Sequence, residues 1–227
     1  MKRSWLTTAR MCTALRKHVL RADLCVFIDD EKAFTDENYL NSTIKSILLA
    51  AIAKGLDIIG IVTPNNSTIG YKAVQIAKEQ QIDITVLPGF SYICQDKEEL
   101  YIYKVQQPIK PGLSINQVCK IAHDSGGFVL ATNISKRKAQ TLDKLQGSEY
   151  APDAVEILNA QVGGYRDLSI DFPKFVSSGA TSANELESIN IFTLIDRNKA
   201  EEMGLLMPGE GEVFVPKYLN PQGEPNV

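Results

Sequence analysis

Apolar positions along the chain follow two periods that take turns. Near the start, SWLTTARMCTALRKHVL sets Trp5, Met11, Leu15 and Val19 near helical spacing. ADLCVFI (22–28) then runs apolar and β-branched, the pattern of a buried strand. The helical period returns in NYLNSTIKSILLAAIAKG, where Ile44, Ile47, Leu48, Ala51 and Ile52 make one face and Gly55 is the stop. LDIIGIV reads as the next strand, the polar loop Thr63-Pro64-Asn65-Asn66 follows, and YKAVQIAKEQ is helical. IDITVLPGFSYI and ELYIYKV are strands that suit a hairpin. Pro108, Pro111 and Gly112 mark a loop, and Ser114 is placed to N-cap INQVCKIAHDS. FVLAT (strand), KRKAQTLDKLQ (helix, ended by Gly147) and DAVEILN (strand) follow. FPKFVSS and INIFTLI are the last strands, with the short helix SANELE between them.

About seven strand–helix alternations predict an α/β fold built on parallel strands, as a doubly wound sheet or a closed barrel. The pattern divides the chain into a basic helical extension at 1–21, a core at 22–204 and a Pro/Gly-rich C-terminal arm at 205–227.

Composition narrows the class. With 227 residues, 44% hydrophobic and 22% charged, the chain suits one well-buried α/β domain. No apolar run approaches the length of a membrane span. The net charge of −3 is uneven, because Lys2, Arg3, Arg10, Arg16, Lys17 and Arg21 stand in an opening stretch without acids. The remainder holds 18 basic against 27 acidic residues, a net of −9, which disfavours broad nucleic-acid binding. Cys12, Cys25, Cys94 and Cys119 are widely spaced, without a C-x-x-C pair. Reduced thiols in a cytoplasmic setting are expected, with an organellar presequence at 1–21 as the other reading of the basic opening.

The order of strand-end motifs resembles the PHP family (polymerase and histidinol phosphatase), and in particular its small standalone bacterial phosphoesterases. Family members carry ADLHxHT where this chain has ADLCVFI, GLDxIxxxDHN where it has GLDIIGIVTPNN, and LPGxE where it has LPGFS. EEVHIL corresponds to EELYIY, GGxxxAAH to GGFVLAT, DAVELxN to DAVEILN, and SDAH to SGAT. The framework residues Asp23, Gly55, Leu56, Asp57, Pro88, Gly89, Gly126, Gly127, Glu156 and Asn159 agree, over roughly Ala22 to Glu187. The resemblance implies a distorted seven-stranded, TIM-like β/α barrel with its site at the C-terminal ends of the strands.

It also implies a cluster of two or three divalent metals held by His, Asp and Glu, which would supply hydroxide and neutralise a phosphate. The matching positions here are Cys25, Phe27, Pro64, Asn65, Ser91, Tyr101, Thr132, Gly179 and Thr181, and none keeps the family's ligand. The chain has two histidines, His18 before the first strand and His123 within a helix, and neither stands at a ligand position. The expectation is a vestigial pocket with no cofactor, no metal and no catalytic residue. The function expected is that of a pseudo-phosphoesterase, a binding or scaffold protein.

Other readings stay open. Cys25 and Cys94 with Asp29 or Asp30 would make a rebuilt zinc site, and hence a divergent phosphoesterase. Ser91, Thr132, Ser177, Ser178 and Thr181 offer hydroxyls, but the spacing pairs neither Glu156 nor Asp29 with any of them. Lys136, Arg137 and Lys138 suit an anion, which makes an RNA- or DNA-binding subunit the second alternative. The favoured partner is a protein, met through the basic opening or the C-terminal arm. No membrane partner is expected.

Overall fold

A computed structural model describes residues 18–134, 136–163 and 169–206, leaving aside the side chains of 136–138. Its eight strands are β1 (Val19–Phe27), β2 (Ile58–Pro64), β3 (Thr85–Ile93), β4 (Glu99–Tyr103), β5 (Phe128–Thr132), β6 (Ala154–Asn159), β7 (Lys174–Ser177) and β8 (Thr193–Asp196). Helices α1 (Glu31–Thr35) and α2 (Glu37–Lys54) follow β1, α3 (Thr68–Glu79) follows β2, and α4 (Ile115–Asp124) precedes β5. Helices α5 (Lys136–Asp143), α6 (Ala183–Ser188) and α7 (Arg197–Glu202) complete the described set.

The strands form one sheet in the order β7-β6-β5-β4-β3-β2-β1-β8. β4 runs antiparallel to both β3 and β5, so the expected hairpin is present, with Ser91 opposite Tyr101. β1–β2, β2–β3, β5–β6 and β6–β7 are parallel. The chain leaving β7 then returns to β1: Phe27 N–H donates to the Ala180 carbonyl (2.8 Å) and Gly179 N–H to that of Cys25 (3.0 Å). These bonds nearly close seven strands into a barrel, as the motif resemblance implies. The eighth strand lies outside that ring, antiparallel to the first residues of β1 from Val19 to Ala22. That pairing starts β1 three residues earlier than the apolar run suggests. Val19 is therefore a strand residue, not part of a helical face. Most of the expected basic helix and nearly all of the C-terminal arm lie outside the described residues; Leu205 and Leu206, at the arm's start, are buried.

Three apolar clusters result. Leu24, Cys25, Ile58, Val62, Tyr101, Tyr103, Phe128 and Phe175 are among those filling the barrel's interior. Ile44, Ile47, Leu48 and Ala51 of α2 pack on the outer face of β1 and β2 together with residues of α3. Val118, Cys119 and Ala122 of α4 cover the outside of β3 to β6. Helix α2 is delimited as its sequence suggests. Asp36 caps the N-terminus by accepting from Tyr39 N–H (3.0 Å), and Gly55 ends it at φ 75°. Ile52, expected on the buried stripe, is 39% exposed at its margin.

One irregularity shapes the wall. The β1–β2 register shifts between Asp23 and Val26, where β1 carries one residue more than its partner. Leu24 and Cys25, neighbours in sequence, therefore both belong to the interior cluster. The bulged backbone presses on Gly60, where an added Cβ would lie 2.4 Å from the Leu24 carbonyl oxygen. Gly60→Ala is expected to cost stability at the upper end of about 1–3 kcal/mol, read from urea unfolding, because the obstacle is backbone that cannot rotate away.

Candidate functional site

The C-terminal ends of β1, β4, β5 and β6 meet around a small polar group set in apolar packing. A second bulge builds it. The β6–β7 register shifts between Glu156 and Leu158, leaving Ile157 as the extra residue. In a regular strand, positions three apart face opposite sides. The bulge turns Asn159 to the same side as Glu156, and its Nδ2 donates to Glu156 Oε1 (3.4 Å) and toward Cys25 Sγ (3.5 Å). Thr132 of β5 donates its hydroxyl to the other carboxyl oxygen, Glu156 Oε2. Above Cys25 the ring of Phe27 meets that of Tyr101 edge-on, with centroids 5.5 Å apart.

Burial controls the protonation of this group. Desolvation lifts Glu156 to about 7, against the opposing hydrogen bonds from Thr132 and Asn159, while the charge of Asp23 adds to the lift. The Cys25 thiol is pushed well above its ordinary value by burial, then by the carboxylates of Glu156 and Asp23. Burial likewise raises the Tyr101 phenol. One layer deeper, Asp23 is fully buried and its Oδ1 accepts from the N–H groups of Ser178 (3.1 Å) and Cys25 (3.3 Å). Lys54 Nζ stands 3.7 Å from Asp23 Oδ2 and donates to the Ile191 carbonyl (3.1 Å). Burial shifts this pair toward neutrality, lifting the acid and lowering the base.

The nine positions implied by the resemblance divide clearly. Cys25, Phe27, Tyr101 and Thr132 converge with Glu156 and Asn159. Ser91 is half-buried on β3 across from Tyr101, and Pro64 is half-buried at the end of β2 opposite Ser91. Asn65 points outward from a left-handed turn (φ 67°), and Thr181 is exposed, its hydroxyl donating to Glu185 (3.0 Å) at the start of α6. Gly179 is buried at φ 66°. The polar loop after β2 has a structural job: Thr63 donates to the Asn66 carbonyl, and Asn66 Oδ1 accepts from Thr68 N–H (3.1 Å) at the head of α3. Lys136, Arg137 and Lys138 open α5, and their side chains lie outside the described set.

Two expectations need correction. Glu156 does have a hydroxyl partner, Thr132, which strand spacing alone could not reveal because it lies on the neighbouring strand. The zinc set is not assembled either. Cys25 lies inside the barrel, Cys94 packs in the outer cluster with α4, and Asp29 and Asp30 are exposed. Among the described residues no three His, Cys, Asp or Glu side chains are grouped to hold a metal ion.

A divalent ion requires accessible, ionised donors. The residues at the mouth do not fit one: two positions hold aromatic rings, the thiol resists ionisation, and both Glu156 oxygens already accept hydrogen bonds. The remaining cleft beside Tyr101, Thr132 and Glu156 has a volume of about 60 Å³. That is far below the roughly 300 Å³ at which pockets for small organic molecules begin.

No protein-family model and no curated protein matches this chain. Among solved structures, the fold is shared with a "putative metal-dependent phosphoesterase" from Bifidobacterium adolescentis, at 10% identity and a TM-score of 0.54. The match covers 80% of this chain and 94% of that one. At this identity the likeness establishes the barrel fold alone. No described helix is long and apolar enough to cross a membrane.

Two measurements test the site. Because the folded chain holds the Glu156 proton up to about 7 while a free glutamate releases it near 4.5, stability is full below about pH 4.5 and falls as pH rises through about 7. The loss is on the order of 3 kcal/mol, and Glu156→Gln is expected to remove most of it, as seen in urea midpoints at pH 5 and 8. Equal wild-type midpoints at both pH values would contradict the assignment. Gly179→Asp, which introduces the aspartate of the SDAH motif that SGAT resembles, is expected to destabilise by about 2 kcal/mol or more. Its Cβ would lie 2.1 Å from Asn159 Oδ1 on a backbone of positive φ.

Proposed function

We propose that this chain is a PHP-type barrel whose metal-ligand positions have been refilled, and that it works as a binding or scaffold protein instead of hydrolysing phosphate esters. The observation that carries this reading is the closed mouth. Phe27 packs on Tyr101, Asn159 ties Glu156 to Cys25, and Thr132 occupies the second Glu156 oxygen. A nucleophile needs both a base and room for substrate. Thr132 with Glu156 supplies a hydroxyl and a base, but Thr132 is 3% exposed beside a cleft too small for a phosphate ester. Binding would therefore use outer surfaces, with the basic opening and the C-terminal arm as the segments that meet a protein partner. A cytoplasmic location agrees with Cys25 and Cys119 standing as buried thiols outside any disulfide among the described residues.

The test is elemental analysis of untagged protein from cells supplied with Zn, Mn and Fe, alongside hydrolysis of phosphate esters. Metal near zero per chain and no turnover are expected. One equivalent retained through dialysis and lost in Cys25→Ser or Asp29→Asn would instead support a rebuilt metal site.

A further inference from the structure

The most informative group outside the mouth is His123, in the last turn of α4. Both of its ring nitrogens face oxygen acceptors. Nδ1 lies 2.8 Å from the Glu149 backbone carbonyl, and Nε2 lies 3.1 Å from Asp153 Oδ2. A carbonyl only accepts, and Asp153 Oδ2 already accepts from Val129 N–H at 2.7 Å. Either neutral tautomer would leave a nitrogen lone pair facing an oxygen lone pair. The imidazolium alone satisfies both contacts.

These contacts join three separate pieces of chain. His123 belongs to α4, Glu149 lies in the connection between α5 and β6, and Asp153 immediately precedes β6. Asp153 is further bound to β5, because its N–H donates to the Val129 carbonyl (2.9 Å). We propose that His123 is a pH-sensitive latch, which in its charged form pins the 147–153 connection to α4. On losing its proton, the ring keeps one donor for two acceptors and one anchor of the connection is released.

The charged groups around the ring favour the closed form. Asp153 faces it from the start of β6, Asp124 stands beside it on α4, and Glu149 and Asp171 line the same open cleft of about 410 Å³. Lys120 opposes them in part, but it pairs with Asp124 (3.2 Å) and lies over the Tyr150 ring. The C-terminus of α4 adds a partial negative charge. In keeping with this, the hydrogen bond to Asp153 raises the His123 titration above that of free imidazole, against the opposing effect of burial. Since the raised group is a base, the latch holds fully below the free-imidazole range and weakens as pH rises through the shifted value.

The test combines NMR titration of the imidazoles with hydrogen exchange at the 149–151 amides, corrected for intrinsic rates. His123 is distinguished from His18, the chain's only other histidine, by its absence in His123→Gln. His123 is expected to titrate above free imidazole, and Asp153→Asn to bring it down. Loop protection should fall across the same pH range, ten-fold for each unit of that displacement. In His123→Gln it should be low and flat with pH. Titration at the free-imidazole value in both wild type and Asp153→Asn would overturn the latch. So would loop protection that stays constant through the His123 titration.

Discussion

A fully buried carboxylate stands at the seam of this barrel. Asp23 belongs to β1, yet its Oδ1 receives the N–H of Ser178 from the chain beyond β7, so the first and seventh strands meet through one side chain. Lys54, at the end of α2, reaches Asp23 from the other side and holds the Ile191 carbonyl. Three distant stretches of sequence thereby converge on one charge. Removing one partner of such a pair strands the other in low dielectric, which costs more than the pair contributes. The backbone bonds from Gly179 to Cys25 and from Phe27 to Ala180 lie directly beyond it and continue the same seam.

Two bulges decide what faces inward above that seam. The extra residue in β1 turns both Leu24 and Cys25 into the barrel, and the extra residue in β6 aligns Asn159 with Glu156. Each bulge has a glycine near it that tolerates the crowding. Gly60 faces the Leu24 backbone, and Gly179 faces the Asn159 amide. The mouth is thus not a set of side chains added to a regular barrel. The local failures of strand periodicity bring a thiol, a carboxyl and an amide within reach of each other.

Those failures explain what the sequence reveals and what it hides. The alternation of periods predicts nearly every element, the β3–β4 hairpin and the helix caps at Ser114 and Gly55, because each rests on local propensity. The seven-stranded ring is legible through the order of motifs. The start of β1 is hidden, since Val19 becomes a strand residue only by pairing with Asp196 of β8, far along the chain. The partnership of Thr132 with Glu156 is hidden for a similar reason, being a contact between neighbouring strands 24 positions apart. Lys54 reads as an ordinary helix-terminal lysine, and nothing in its neighbours announces a side chain only 6% exposed. Asn65 and Thr181 err in the other direction: motif position puts them at the pocket, while a left-handed turn and a helix start direct them to solvent.

Charge balance connects the mouth to the seam beneath it. A barrel that collects carboxylates at its strand ends needs cations there, and in a metal-binding member of such a fold the ions themselves would provide them. Among the described residues the acids inside the barrel are Asp23 and Glu156, and each is offset by a different means. Asp23 has the ammonium of Lys54 within 3.7 Å, while Glu156 has no cation among its hydrogen-bonding neighbours and keeps its own proton to about pH 7. The side chains around them follow the same logic, since Phe27, Tyr101 and Thr132 bring no further negative charge into the barrel. Cys25 stays a neutral thiol for the same reason, with two carboxyl groups close by and burial opposing its ionisation. Among the described residues, one lysine and one proton thus offset the two acids that the barrel wall turns inward.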